Sequence, residues 1–155
     1  MYGGGVAESV RMDNVGNRPR RPSWPAVAAV AAWMLYLLVV ASAAGTGSGS
    51  GGPSDFDLTR PDLAAHFEFY FVLTALLRWA VAGVGGLGRR AAVAHTLVPL
   101  VIAVGYGGLM ELVQLNVPGR VAAWDDFAAN GLGALLATAV ITTLLPILRL
   151  LTRIR

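Results

Sequence analysis

The chain has 155 residues, of which 55% are hydrophobic and only 14% charged, against about 25% charged in an ordinary soluble domain. Its net charge of +3 rests on 12 basic residues, all arginine, and the absence of cysteine excludes disulfides, thiolate metal sites and cysteine nucleophiles. A basic balance can signal nucleic acid, but these arginines stand at the ends of apolar runs, where topology signals lie, so no nucleic-acid partner is expected.

Residues 1–23 carry Gly, Arg and Pro with no apolar period and read as a disordered cytoplasmic tail. A first span is expected over 24–44, with Pro25 tolerable at its start. Arg18, Arg20 and Arg21 before this run and Ala41-Ser42-Ala43 at its end also fit a signal peptide with an A-x-A cleavage site. The run is longer than a usual signal core, which favours a retained helix. Residues 45–61 form a Gly/Ser linker ending in Asp55, Asp57 and Arg60-Pro61.

The second span is expected over 62–83, with Arg78 and Trp79 near its far end. A Gly-rich turn with Arg89 and Arg90 leads to the third, over 91–115, which carries Pro99 and the cluster Gly105, Gly107 and Gly108. Small residues there allow close helix approach. The fourth span is expected over 127–148, and 149–155 form a basic cytoplasmic tail. Together, residues 24–148 predict an all-α integral membrane protein of the cell membrane, a multi-pass four-helix transmembrane bundle. Trp24, Trp79 and Trp124 fit an interfacial aromatic belt.

Orientation follows from the arginines. The N-terminal tail, the Arg89-Arg90 turn and the C-terminus hold nine, whereas the other two loops hold Arg60 and Arg120 alone. The positive-inside rule then makes both termini cytoplasmic and puts loops 45–61 and 116–126 outside.

Against this apolar background the polar residues converge on the outer side. Asp62, His66 and Tyr70 follow one another at i,i+4 spacing, on one face of the second span and descending by about 6 Å at each step. Glu111 and Gln114 share a face of the last turns of the third span. Asp126 and Asn130 open the fourth, and Arg120 lies in the short loop after a Pro118-Gly119 turn. Ionisable groups at membrane depth are costly, so they point to a site or to specific pairing.

These same residues carry a resemblance. Asp62-Leu-Ala-Ala-His66-Phe-Glu-Phe-Tyr70, then Glu111-Leu-Val-Gln114, then Pro118-Gly119-Arg120 with Asp126, Asn130 and Gly133, resemble the VanZ-like family over residues 60–140. That family's pattern reads D-K-x-x-H-F-x-x-Y, E-x-x-Q, P-x-R, D, N and G. Leu63 departs from it, standing where the family usually has lysine. The resemblance implies an integral membrane protein related to proteins named for resistance to the glycopeptide antibiotic teicoplanin; it implies no established reaction.

Each residue has a plain reading beside a functional one. His66 fits a general base oriented by Asp62, a metal ligand, or a buried imidazole hydrogen-bonded to Glu111 or Asn130. Glu111 is expected to pair with Arg120 or His66, and Gln114 and Asn130 to bridge helices. Arg120 suits an anionic group by its planar fork, or else a salt bridge to Asp126. Asp126 also suits a helix N-cap, and Asp125 beside it reads as solvated. His95 is expected near the inner surface, apart from His66, so no two-histidine metal site is expected, and no cofactor. Glu68 and Arg78 have no assigned role.

Two functions emerge. One is a cell-envelope accessory or binding protein whose pocket of Arg120, His66, Glu111, Gln114, Asp126, Asn130 and Tyr70 engages an anionic lipid headgroup, envelope component or antibiotic. The other is an enzyme using His66 with Asp62 or Glu111 on a lipid-linked or phosphorylated substrate. A purely structural role for the cluster is the third reading.

Overall fold

Proline sets the start of the first two helices. In the computed structural model, α1 (Trp24–Ser42) has Pro25 in its first turn, where the missing N–H would have had no partner. α2 (Pro61–Val81) opens on Pro61 itself, and Arg60 before it is extended (φ −68°, ψ 128°), as a residue preceding proline prefers. α3 (Arg89–Gln114) follows an extended Gly88, and α4 (Trp124–Arg153) has Asp125 and Asp126 in its first turn, where carboxylates complement the helix dipole. The described residues are 23–43, 58–82, 84, 88–120 and 122–153, and all their regular structure is helical. The expected tail up to residue 22 and the linker over 44–57 lie outside them.

Between α3 and α4 the chain reverses where the sequence predicts. Arg120 N–H donates to Val117 O at 3.1 Å and Gly119 has φ 81°, the arrangement of a type II turn, which calls for glycine at that position. α4 outruns its expected span at both ends. It takes in Asp125 and Asp126 at the start, and it continues past Pro146 and Arg149 into the expected tail.

Three helices, α1, α3 and α4, are long and apolar enough to cross a membrane, yet at most 28% of their apolar windows is buried inside the protein. Large side chains point outward instead: Leu35, Val101 and Leu150 are each more than 60% exposed. An apolar surface on this scale requires apolar surroundings, and the chain is accordingly an all-helical membrane protein.

α2 differs. It has 21 residues but carries Asp62, His66, Glu68 and Arg78, and it is not among the helices apolar enough to span by composition. Its position accounts for this. α2 packs on α1, α3 and α4, whereas α1 and α4 make no contact among the described residues. Two of these four groups, His66 and Arg78, therefore bond to other helices.

The closest packing is between α2 and α4. A Cβ at Gly133 would collide with the Phe67 carbonyl oxygen and come within 3.0 Å of Phe67 C and 3.1 Å of Phe71 N, so α4 lies directly on the α2 backbone. Ala134 of α4 packs in one core cluster with Tyr70, Leu73 and Leu77 of α2, and Ala129 and Ala137 of α4 are also fully buried. In lipid this complementarity, rather than transfer from water, holds helices together.

α3 is fastened to α2 by Arg78. Pro99 has no N–H to give to the carbonyl four residues earlier, that of His95. Arg78 Nη1 donates to that same oxygen at 2.7 Å and to Thr96 Oγ1 at 2.9 Å. An arginine of a neighbouring helix thus replaces a hydrogen bond that proline removes. α1 is held through carbonyls: Tyr106 Oη donates to Met34 O at 2.5 Å, and Trp33 Nε1 donates to Phe69 O at 3.1 Å.

Candidate functional site

The polar residues gather where α1 and α3 finish and α2 and α4 begin. Asn130 stands at their centre, completely buried in the first half of α4. His66 Nδ1 lies 3.0 Å from Asn130 Oδ1, and Asn130 Nδ2 donates to Glu111 Oε1 at 3.5 Å. Glu111 Oε2 accepts from the Ala123 N–H at 3.4 Å. On its other side His66 Nε2 lies 3.7 Å from Asp126 Oδ2.

The directions of these bonds constrain protons. An Asn130 carbonyl facing Nδ1 requires His66 to donate from Nδ1. A neutral ring then has a lone pair at Nε2, which faces the Asp126 carboxylate. At 3.7 Å the two groups are too far apart for a direct hydrogen bond. α2, α3 and α4 thus share one chain of polar contacts, Glu111–Asn130–His66–Asp126.

Two of the expected partnerships are replaced. Asp62 does not orient His66; it turns outward to Arg60, whose Nη2 lies 2.6 Å from Asp62 Oδ2. Glu111 pairs with Asn130 and a backbone N–H instead of Arg120. The expected solvated Asp125 is also corrected: it is 8% exposed, and Arg60 Nη1 reaches its Oδ2 at 3.1 Å. Arg60 thereby ties the first turns of α2 and α4 together, and its hydrogen bond to Asp62, followed by the charges of Asp62 and Asp125, raises its already high pKa. Asp126 sits inside the first turn of α4, so it is not the N-cap.

Arg120 makes neither ion pair expected of it. The Pro118-Gly119 turn sends it toward α1, where Nη2 donates to Val40 O at 3.2 Å beside the helix C-terminus. A cation there meets the negative end of the dipole. Its Nε is buried and has no hydrogen-bond partner. Arg120 lines a cavity of about 40 Å³ with His66, Tyr70 and Gln114, closed by Leu37 and Val40 of α1 and Met110 of α3. Gln114 is buried there, and Gly107 lets Asn130 and Tyr70 pack closely on α3, since a Cβ would lie 3.3 Å from their side-chain atoms.

Comparison with protein-family models, curated proteins and solved structures finds no match to this chain. The functional reading therefore rests on these side chains.

On its opposite side Glu111 lines a larger groove, about 700 Å³, between α3 and the start of α4, with Gly105, Gly108, Leu109, Leu112, Trp124 and Phe127. No signal in the sequence marked this groove. Among the described residues no three His, Asp or Glu side chains converge as a metal would require. His95 is remote from the cluster, its ring bonded to Val84 O. Glu68 is exposed on α2 and has no hydrogen-bond or ion-pair partner among the described residues.

Proposed function

We propose that the chain is a four-span, VanZ-like protein of the cell membrane with both termini cytoplasmic, acting as a cell-envelope accessory that binds an anionic group at the Arg120 cavity. The observation that carries this is the Arg120 Nε, buried beside a cavity and left without an acceptor. A buried donor without a partner is unfavourable, and an anion's oxygen at that position would satisfy it. A guanidinium suits phosphate or carboxylate by geometry as well as charge. The cavity holds about 40 Å³, little more than the roughly 30 Å³ share of one water, so one anionic oxygen enters and the rest of the headgroup stays at the mouth. The arginine distribution supports the orientation, and the central position of α2 supports counting it as the fourth span.

The test is the set of lipids and envelope components retained by purified wild type and Arg120→Ala, read by mass spectrometry. Wild type should keep an anionic species that the variant loses, and teicoplanin belongs in the same assay as the ligand class implied by the resemblance. Identical retained species in the two proteins would sink the reading.

A second reading, an enzyme acting on a lipid-linked or phosphorylated substrate, is favoured by one observation. His66 is set between Asn130 and the Asp126 carboxyl and also lines the Arg120 cavity. Here Asp126 takes the part expected of Asp62. Loss of turnover with binding retained in His66→Ala would select this reading over simple binding.

A further inference from the structure

We infer that the groove between α3 and the start of α4 is a second, lateral site, taking a membrane amphiphile with a hydrocarbon chain and a cationic, hydrogen-bond-donating head such as a long-chain amine. It is separate from the Arg120 cavity and does not depend on it.

The shape is the first argument. The groove of about 700 Å³ at Trp124, Glu111 and Phe127 adjoins a second hollow of about 430 Å³ lined by Val104, Phe127, Gly131 and Leu135. Phe127 belongs to both. The trough therefore follows α4 from Trp124 to Leu135, about 16 Å at the helical rise, the form of a single extended chain. Added Cβ atoms at Gly105 and Gly131 would meet nothing within 4 Å, so both glycines face open space.

The surroundings are the second. Leu109 and Leu112 on the rim of the groove are more than half exposed and face outward, as the other lipid-facing side chains do. Trp124 at its end is 82% exposed, suited to the boundary between hydrocarbon and headgroups. An occupant enters sideways from the bilayer.

The head is decided by Glu111. It is the one ionisable side chain lining either hollow, and no arginine or histidine lies within ion-pair distance of it among the described residues. Its bonds from Asn130 Nδ2 and Ala123 N, at 3.5 and 3.4 Å, are long and leave acceptor capacity unused. An acceptor without a cation, at the head of an apolar trough, complements an ammonium and opposes a carboxylate.

The experiment uses the full chain in phosphatidylcholine nanodiscs with three diazirine probes of equal length: hexadecylamine, hexadecanol and palmitic acid. Labelling is mapped by peptide mass spectrometry and normalised to α1, which reports ordinary lipid contact. The amine should label residues 105–135 roughly tenfold more than the acid, the scale of one hydrogen bond to a charged group. Glu111→Gln should abolish that preference, and Gly105→Phe, which places bulk in open space, should abolish the labelling itself. Arg120→Ala should leave both unchanged, which separates this site from the anion cavity. Equal labelling by the three probes would mean ordinary lipid only, and would overturn the proposal. So would a preference that survives Glu111→Gln, or labelling undiminished in Gly105→Phe.

Discussion

Two glycines of α4 stand two residues apart and meet opposite surroundings. Gly133 faces α2 so closely that even a methyl group would strike the Phe67 carbonyl, whereas Gly131 faces the α3 side, where nothing lies within 4 Å. On the α2 side small residues bring backbones together; on the α3 side they leave a trough. A small residue in a membrane helix is therefore ambiguous until its direction is known, and the direction decides whether it serves stability or a ligand.

The largest effect is expected from breaking the closed side. Gly133→Ala should lower stability by on the order of 3 kcal/mol, the upper end for overpacking, because the obstacle is backbone and cannot rotate away. Thermal unfolding in detergent measures it. A variant as stable as wild type would show that α4 does not lie against α2 at this point.

The Arg78 clamp sharpens the same contrast with a smaller effect. Arg78→Ala leaves the His95 carbonyl, already deprived of a partner by Pro99, with none from α2. The loss should be about 2 kcal/mol, in the range for hydrogen bonds to charged groups. Pro99→Ala restores the N–H that this carbonyl lacks, so Arg78→Ala should cost less in that background. Strict additivity in the double-mutant cycle would show that the two residues do not share the carbonyl.

The failures of sequence reading lie on this same axis of direction. Apolar runs and proline starts locate all four helices, because each is a local property. The i,i+4 spacing of His66 and Tyr70 brings both to one cavity. Depth was legible too: Glu111, His66, Asp126 and Asn130 do meet at one end of the bundle. His66 does meet Asn130, as its plain reading expected, but the partners of Asp62, Glu111 and Arg120 were not legible, since pairing depends on how each helix is turned and which helices adjoin. Asp62, on the same face as His66 by spacing, sits in the first turn, where Arg60 can reach it from outside the helix. Arg120 was expected to meet a nearby carboxylate in sequence, but the Gly119 turn aims it at α1, about eighty positions away along the chain. Arg78 had no assigned role because its partner is a backbone carbonyl, visible in sequence only as the consequence of Pro99. The trough is an absence of side chains, which neither periodicity nor charge reports.

The smallest effect comes from the open side and tests the contrast most directly. Gly131→Ala adds the same methyl group as Gly133→Ala, on the same helix, two residues away. With no atom within 4 Å there is nothing to displace, and alanine is the better helix former by up to about 1 kcal/mol. The expected outcome is a melting temperature equal to or slightly above that of wild type. Amine labelling along residues 105–135 should persist, since one methyl group narrows the trough without closing it. A loss of stability matching that of Gly133→Ala would mean that α3 and α4 close on each other in the membrane, and that the trough does not exist there.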